Sequence, residues 1–304
     1  MSRACRGVAR LAKAGAALIL GLGVFVSAQQ HSSIDIAGVL QQAGARVTNL
    51  FARAQSIMCL EKVALQRLGV SFGADGPARF VESELRLSWE PTADNPTPTE
   101  ANMLRQVVKV NGAAPRKKDY DNCTTPEQQS SEEQPLSILL PHQREKYTFS
   151  YDRHEQIDRR SAIVIAYREI KKPTVDVSLV ADNDNCISFD IQGGMRGRVW
   201  IDAETYDVLR LDRTLSGLVE IPLPQKVLRR GGFRSESYWT MERWDESTRF
   251  RRVAFKNPDE TLVLPVSSST LQITRGAGTP RLRTSTQYVS YRRFLTAGRI
   301  VPPQ

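Results

Sequence analysis

From Val81 to Phe294 apolar side chains recur at alternate positions in short runs broken by turn residues, a pattern that restricts the chain to half-buried strands of an antiparallel sheet. In the first run Val81, Leu85, Leu87 and Trp89 share one face, and Glu82, Glu84 and Arg86 take the other. A second run, Leu104–Val110, ends in the hairpin pair Asn111-Gly112. Further strands are predicted at Tyr147–Tyr151, Ala162–Ile170, Cys186–Ile191, Gly197–Ile201, Val208–Leu215, Tyr238–Trp244, Phe250–Lys256, Leu262–Thr274 and Thr284–Phe294. The joints between them carry turn chemistry, as in Asp182–Asn185, Gly193-Gly194, Asp202–Thr205, Asn257–Asp259 and Gly276–Gly278.

One segment ahead of the strands has the helical period: Ile36, Val39, Leu40, Ala43, Val47, Leu50, Phe51 and Ala54. Ser32, Ser33 or Asp35 can cap it. One helix followed by many short strands predicts a mainly β, α+β fold built on a single, strongly curved antiparallel sheet. Three stretches interrupt the pattern. Pro91–Glu100 is a Pro/Thr/Asp/Asn loop, and residues 115–135 form a polar stretch, with Gln128–Gln134 too hydrophilic to pack, expected to be a mobile surface loop. In Ser216–Phe233, Pro222 and Pro224 forbid a central strand, and Leu218, Ile221 and Leu223 are expected to be exposed, as a gate or membrane-touching loop.

The N-terminus has a different character. Arg3, Arg6, Arg10 and Lys13 precede the apolar run Ala14–Val26 and the small-residue site Val26-Ser27-Ala28, which predicts a secretory signal peptide over residues 1–28, cleaved after Ala28. As a helix, the apolar run would reach about 20 Å, short of the ~30 Å hydrocarbon core of a bilayer. Cys5 lies in the basic region, away from the cleavage point. The expected mature chain is a single domain, residues 29–304, in the periplasm or secreted, with no stable membrane span. Loss of four basic residues lowers its formal charge from +9 to +5. The remaining positive charge is scattered among acids, so nucleic acid is not an expected partner.

Export makes one disulfide plausible among Cys59, Cys123 and Cys186. Cys123 and Cys186 follow polar Asp/Asn stretches and are the favoured pair, with Cys59–Cys123 as the alternative; Cys59, after Ile57-Met58, reads as a buried thiol. No C-x-x-C is present, and no metal or cofactor is expected. Catalysis has little to draw on. His31, His142 and His154 stand outside any Gly-x-Ser-x-Gly elbow or ligand spacing, and His154 reads as the polar tip of a hairpin. Glu82 and Glu84 read as a solvated strand face. The expectation is a non-enzymatic protein. Its aromatics, among them Trp89, Trp200, Trp239, Trp244 and Phe255, fall on predicted strands, and a curved sheet with one helix has more inward positions than that helix can fill.

The hairpin Gly197-Arg198-Val199-Trp200-Ile201-Asp202-Ala203-Glu204-Thr205, returning through Val208-Leu209-Arg210-Leu211, resembles a signature of the LolA/LolB-like periplasmic superfamily, which includes outer-membrane lipoprotein-sorting proteins. The C-terminal segments Leu264–Val266 and Tyr288–Phe294 are similar to those of secreted bacterial proteins that share the hairpin. The resemblance spans roughly residues 34–296. It implies an unclosed β-barrel with a helical lid and a hydrophobic cavity for acyl chains; some relatives instead sense lipid or bind an anti-sigma factor. The chain departs from the compact carriers in its length, its polar insert and its 216–233 loop. Two functions follow as expectations. One is binding of a lipid, acyl chain or lipidated protein on the concave side of the sheet, lined by Trp89, Trp200, Trp239 and Phe255. The other is a sensor or scaffold with a packed core that binds another envelope protein.

Overall fold

The computed structural model describes residues 34–54, 56–89, 99–120, 127–180, 183–225, 228, 237–256, 258–276 and 281–293. The predicted leader, His31 and Cys123 lie outside them, as does the side chain of Cys186. Contacts divide the chain after Ile34, and the description concerns the unit Asp35–Gln304. Helix α1 (Ile36–Arg53) begins where the Asp35 carboxylate accepts from the Gly38 N–H at 3.0 Å, and it buries Val39, Leu40, Ala43, Gly44, Val47 and Phe51.

A twelve-stranded antiparallel sheet follows. Its strands are β1 (Ile57–Leu68), β2 (Arg79–Ser88), β3 (Glu100–Val110), β4 (Glu127–Glu133), β5 (Tyr147–Ile157), β6 (Arg160–Glu169), β9 (Met195–Asp202), β10 (Val208–Leu215), β11 (Val219–Pro222), β12 (Tyr238–Lys256), β13 (Asp259–Arg275) and β14 (Arg281–Arg293). The remaining two, β7 (Thr174–Val180) and β8 (Asn183–Gln192), form a separate hairpin. The main sheet runs β4-β3-β2-β1-β14-β13-β12-β10-β9-β6-β5, with β11 added on β12. Its ends, β4 and β5, do not pair with each other, so the sheet stays open. An open antiparallel sheet with one helix is the architecture that the LolA/LolB-like resemblance implies.

Four expectations are corrected. Residues 115–135 are not one loop: they hold the 3₁₀ turn Lys117–Asp119 and the strand β4, which pairs with β3 from Glu100↔Glu133 to Gln106↔Glu127. An edge strand needs no apolar face, because backbone pairing builds it and polar side chains keep its outer edge from further pairing. Within the 216–233 stretch, Val219 and Ile221 lie on β11 opposite Met241 and Trp239, and they are buried with Leu223; only Leu218 of the expected gate is exposed. Pro222 is tolerated because it ends a short added strand. His154 sits within β5 opposite Ile163, and the tip of the hairpin is Asp158-Arg159, where both residues hold positive φ. The two runs at 238–256 are one strand, since Thr214 donates to Asp245 at 2.5 Å and Arg213 pairs with Glu246 at 2.6 Å, carrying the ladder across the polar middle.

The helix meets the sheet through the 3₁₀ turn Pro135–Leu139, whose Leu136, Ile138 and Leu139 are buried along with Leu140. Gly44 is the point of closest approach: a Cβ there would lie 2.6 Å from the Leu139 carbonyl oxygen. Alanine would favour the helix by about 1 kcal/mol over glycine, but a backbone clash of this depth costs more. Gly44→Ala is therefore expected to lower the melting temperature, measured by circular dichroism; a rise would refute the packing described.

The Gly197–Leu211 hairpin turns on Asp202. Its buried carboxylate accepts from the N–H groups of Glu204 and Thr205, at 3.1 and 2.7 Å, and from the Thr205 hydroxyl at 2.9 Å, and it pairs with Arg160 at 2.8 Å. Burial alone would push its pKa up, but these donors outweigh it and hold the group below its ordinary value. The stability this contributes is present above about pH 4 and is lost as pH falls through the lowered folded-state value. Thermal melts should thus show the parent chain losing stability more steeply than Asp202→Asn as the medium is acidified, with the variant less stable at neutral pH.

Candidate functional site

The sheet curls around a cavity of about 1380 Å³, larger than the roughly 300–1,000 Å³ typical of small-molecule pockets. Helix α1 supplies Leu50 and Phe51, β2 supplies Leu85 and Leu87, Trp89 follows directly after it, and β3 supplies Met103. Leu136 and Ile138 close one side, while Tyr167, Trp244, Phe250, Leu264, Tyr288 and Tyr291 continue the wall. Alternation along β2 builds this part of the wall: the cavity takes Leu85 and Leu87, with Trp89 just beyond the strand in the same phase, and leaves Glu84 and Arg86 outside, where they pair at 2.7 Å.

The wall also carries charged side chains, among them Glu100, Glu145, Lys146, Glu169, Lys171 and Asp190, and two of its cations sit in ion pairs. Arg105 is fixed to Glu61 at 2.6 Å, and Glu61 is itself almost fully buried. Arg213 is held by Glu246. Burial raises the hydroxyls of Tyr167, Tyr288 and Tyr291 well above the ordinary phenol range, so the wall carries neutral phenols.

The four aromatic residues expected to line a cavity have different surroundings. Trp89 is in the wall, stacked on Phe51 with ring centroids 5.2 Å apart, and its indole N–H has no acceptor among the described residues. Trp200 faces the other way. On β9, Met195 points to the cavity and Val199 and Ile201 share its side, which puts Trp200 on the opposite face with Ala162, Val164 and Leu209. Its N–H donates to Glu155 at 3.0 Å, and the Arg210 guanidinium lies 4.5 Å from its ring centroid. The Trp200 N–H and Arg153 together hold the Glu155 carboxyl below its ordinary pKa. Trp239 packs into a second core, formed by Leu215, Val219, Ile221 and Met241 under the β7–β8 hairpin. Phe255 is buried beneath Arg293, outside the cavity lining. Tyr167, Trp244, Tyr288 and Tyr291 were the aromatics to find; their parity on strands is legible only once the register is known.

His142 and His154 lie outside the cavity lining, and no cluster of three or more His, Cys, Asp or Glu residues suited to a metal occurs among the described residues. A smaller hollow of about 330 Å³ beside α1 contains Arg46, Arg53 and Arg252, but these are engaged by the Thr205 carbonyl, Glu260 and Asp207. Cys59 is fully buried as a free thiol, pushed up to about 12 by burial and then by the neighbouring Glu61 charge. A thiol in water, near 8.5, is partly thiolate at pH 8 and alkylates readily. Iodoacetamide should leave the Cys59 peptide unmodified in the folded protein and modify it in denaturant, as read by peptide mass; labelling in the folded state would contradict the placement.

No protein-family model matches the chain, and no curated protein matches it. Several solved structures are similar to it. A domain described as an outer membrane lipoprotein-sorting protein, from Vibrio parahaemolyticus, is 10% identical over 85% of this chain and 92% of its own, with a TM-score of 0.41. A DUF1329 family protein from Desulfovibrio piger is 8% identical over 87% of this chain and 95% of its own, with a TM-score of 0.43. A LolA superfamily protein from Nitrosomonas europaea is 9% identical over 86% and 96%, with a TM-score of 0.32. At these identities and scores the likeness bears on no ligand or partner.

Proposed function

We propose that this chain is a non-enzymatic binding protein of the cell envelope that holds an apolar chain, from a lipid or a lipidated protein, inside its curled sheet. The observation that supports the reading is the cavity of about 1380 Å³, in which aliphatic and aromatic side chains from α1 and the sheet form a continuous apolar part of a wall that also carries polar and charged groups. A void of that size among apolar side chains forfeits packing contacts all along its wall, and an acyl chain restores them. The pairs Arg105–Glu61 and Arg213–Glu246 neutralise two of the cations on the wall. The predicted leader supports an envelope location, and the LolA/LolB-like hairpin at Gly197–Leu211 points the same way.

Native mass spectrometry of the protein recovered from an envelope fraction without detergent tests this. The expected result is a bound species of lipid mass that solvent extraction removes. Met103→Glu, which puts a charge into the wall, and Thr270→Trp, which fills space beside it, should each lower the bound fraction about tenfold or more while circular dichroism stays unchanged. A clean apo mass with no later uptake of a fluorescent fatty acid would overturn the proposal and favour the protein-binding module.

A further inference from the structure

Among the described residues the exposed large apolar side chains are Val70, Phe72, Phe80, Val108, Tyr151, Ile170, Leu218 and Tyr238. Sheet register places seven of them, all but Tyr151, at one rim. Leu68 at the end of β1 pairs with Arg281 at the start of β14, and Val81 near the start of β2 pairs with Val110 at the end of β3. Along the same rim Thr240 pairs with Arg275, Leu215 with Met195, Arg168 with Arg196 and Tyr147 with Glu169. The β1–β2 turn, which carries Val70 and Phe72, therefore shares a rim with Val108, Tyr238, Leu218 after β10 and Ile170 after β6. Val70 is 85% exposed, Leu218 64% and Ile170 63%.

Two further features set this rim apart. Phe72 holds φ at 60°, a left-handed conformation that suits glycine or asparagine, yet the position keeps a half-exposed aromatic ring at the tip of a hairpin. The rim is also basic, with Arg67, Lys117, Lys118, Lys171, Lys172 and Arg283 exposed. The bond from Arg79 to the Asp119 carbonyl, at 2.5 Å, ties the Lys117–Asp119 turn to the start of β2, and Arg281 lies 5.8 Å from the Phe72 ring centroid. Acidic groups also stand on the rim: Asp119 is engaged by Arg116, Glu242 by Arg275, Glu169 by the Met195 N–H, and Asp176 and Asp190 by Gln192, while Asp75, Glu145 and Glu220 complete the acids beside the larger set of cations.

Apolar tips inside a basic collar match the interface of an anionic bilayer, where the tips enter the acyl boundary and the cations meet lipid phosphates. We propose that this rim docks the protein on an anionic membrane surface, with Val70, Phe72 and Leu218 as the inserting residues. The cavity wall reaches this rim at Ile170 and Lys171, but the inserting residues Val70, Phe72 and Leu218 are not part of that wall, whose Met103 and Trp89 lie toward the opposite rim.

Co-sedimentation with vesicles tests the proposal, using protein recovered from cells expressing the full chain, its N-terminus read by intact mass. The expected result is binding to phosphatidylcholine vesicles containing phosphatidylglycerol, weaker binding to phosphatidylcholine alone, and a loss at high salt. Val70→Ser with Phe72→Asn should reduce the bound fraction about tenfold or more, the asparagine being suited to the backbone it enters. Lys117→Glu with Lys118→Glu should remove the preference for phosphatidylglycerol. Binding that is absent, indifferent to phosphatidylglycerol, or unchanged by the Val70/Phe72 pair would overturn the proposal. Thr270→Trp carried through the same assay separates it from the cavity reading, since that change leaves the rim intact.

Discussion

The pairing of β1 with both β2 and β14 is the constraint on which the rest of the fold depends. β1 lies inside the sheet, with β2 on one edge from Ile57↔Leu87 to Leu65↔Arg79 and β14 on the other from Ile57↔Arg293 to Leu68↔Arg281. The strand that follows the helix is thus bound to the last strand of the described chain, and every other ladder hangs from that junction. Contacts of this sequence separation cost loop-closure entropy, which the full ladder offsets. Glu260 reinforces the junction from one end. It accepts from Arg53 at the end of α1 and from Arg293 at the end of β14, and Arg293 also reaches the Arg53 carbonyl at 2.6 Å. Burial would raise the Glu260 pKa, but these guanidinium bonds hold it low, so the helix, β13 and β14 are pinned by a charged carboxylate.

With the first and last strands joined in the middle, the sheet's free edges are β4 and β5. A sheet that curls without closing leaves an interior that one helix and one 3₁₀ turn cannot fill. The wall is largely apolar where α1 and β2 meet, carries the Arg105–Glu61 pair at β3, and turns phenolic toward β6 and β14. The smaller hairpin β7–β8 covers a separate core, with Val175, Val177, Phe189 and Ile191 packed on Leu215, Val219, Ile221 and Met241. That second core takes Trp239 together with Val219 and Ile221 of the stretch expected to be exposed.

Local sequence was sufficient for the helix, because its stripe and its Asp35 cap act within a few residues. It was also sufficient for the turn at Asp202–Thr205, where an Asp-to-Thr stretch folds on its own side chains, and for most strands with clear alternation. β1 was not legible. Leu60-Glu61-Lys62-Val63-Ala64-Leu65-Gln66-Arg67-Leu68 is rich in good helix formers, and it is a strand because two neighbours pair along its length. β4 was missed for a related reason, since an edge strand can be polar throughout.

The alternation of apolar residues, read by itself, determined that this chain is one helix and a large antiparallel sheet, because side chains two apart must share a face. Which face is concave lay beyond it. Trp89 and Trp200 have similar local patterns, yet one lines the cavity and the other packs on the outside between Glu155 and Arg210. Only the tertiary structure decided this, since the direction in which a sheet curls depends on the pairing of strands distant in sequence. The same register gathered Val70, Leu218 and Ile170, nearly 150 residues apart at the extremes, onto one rim.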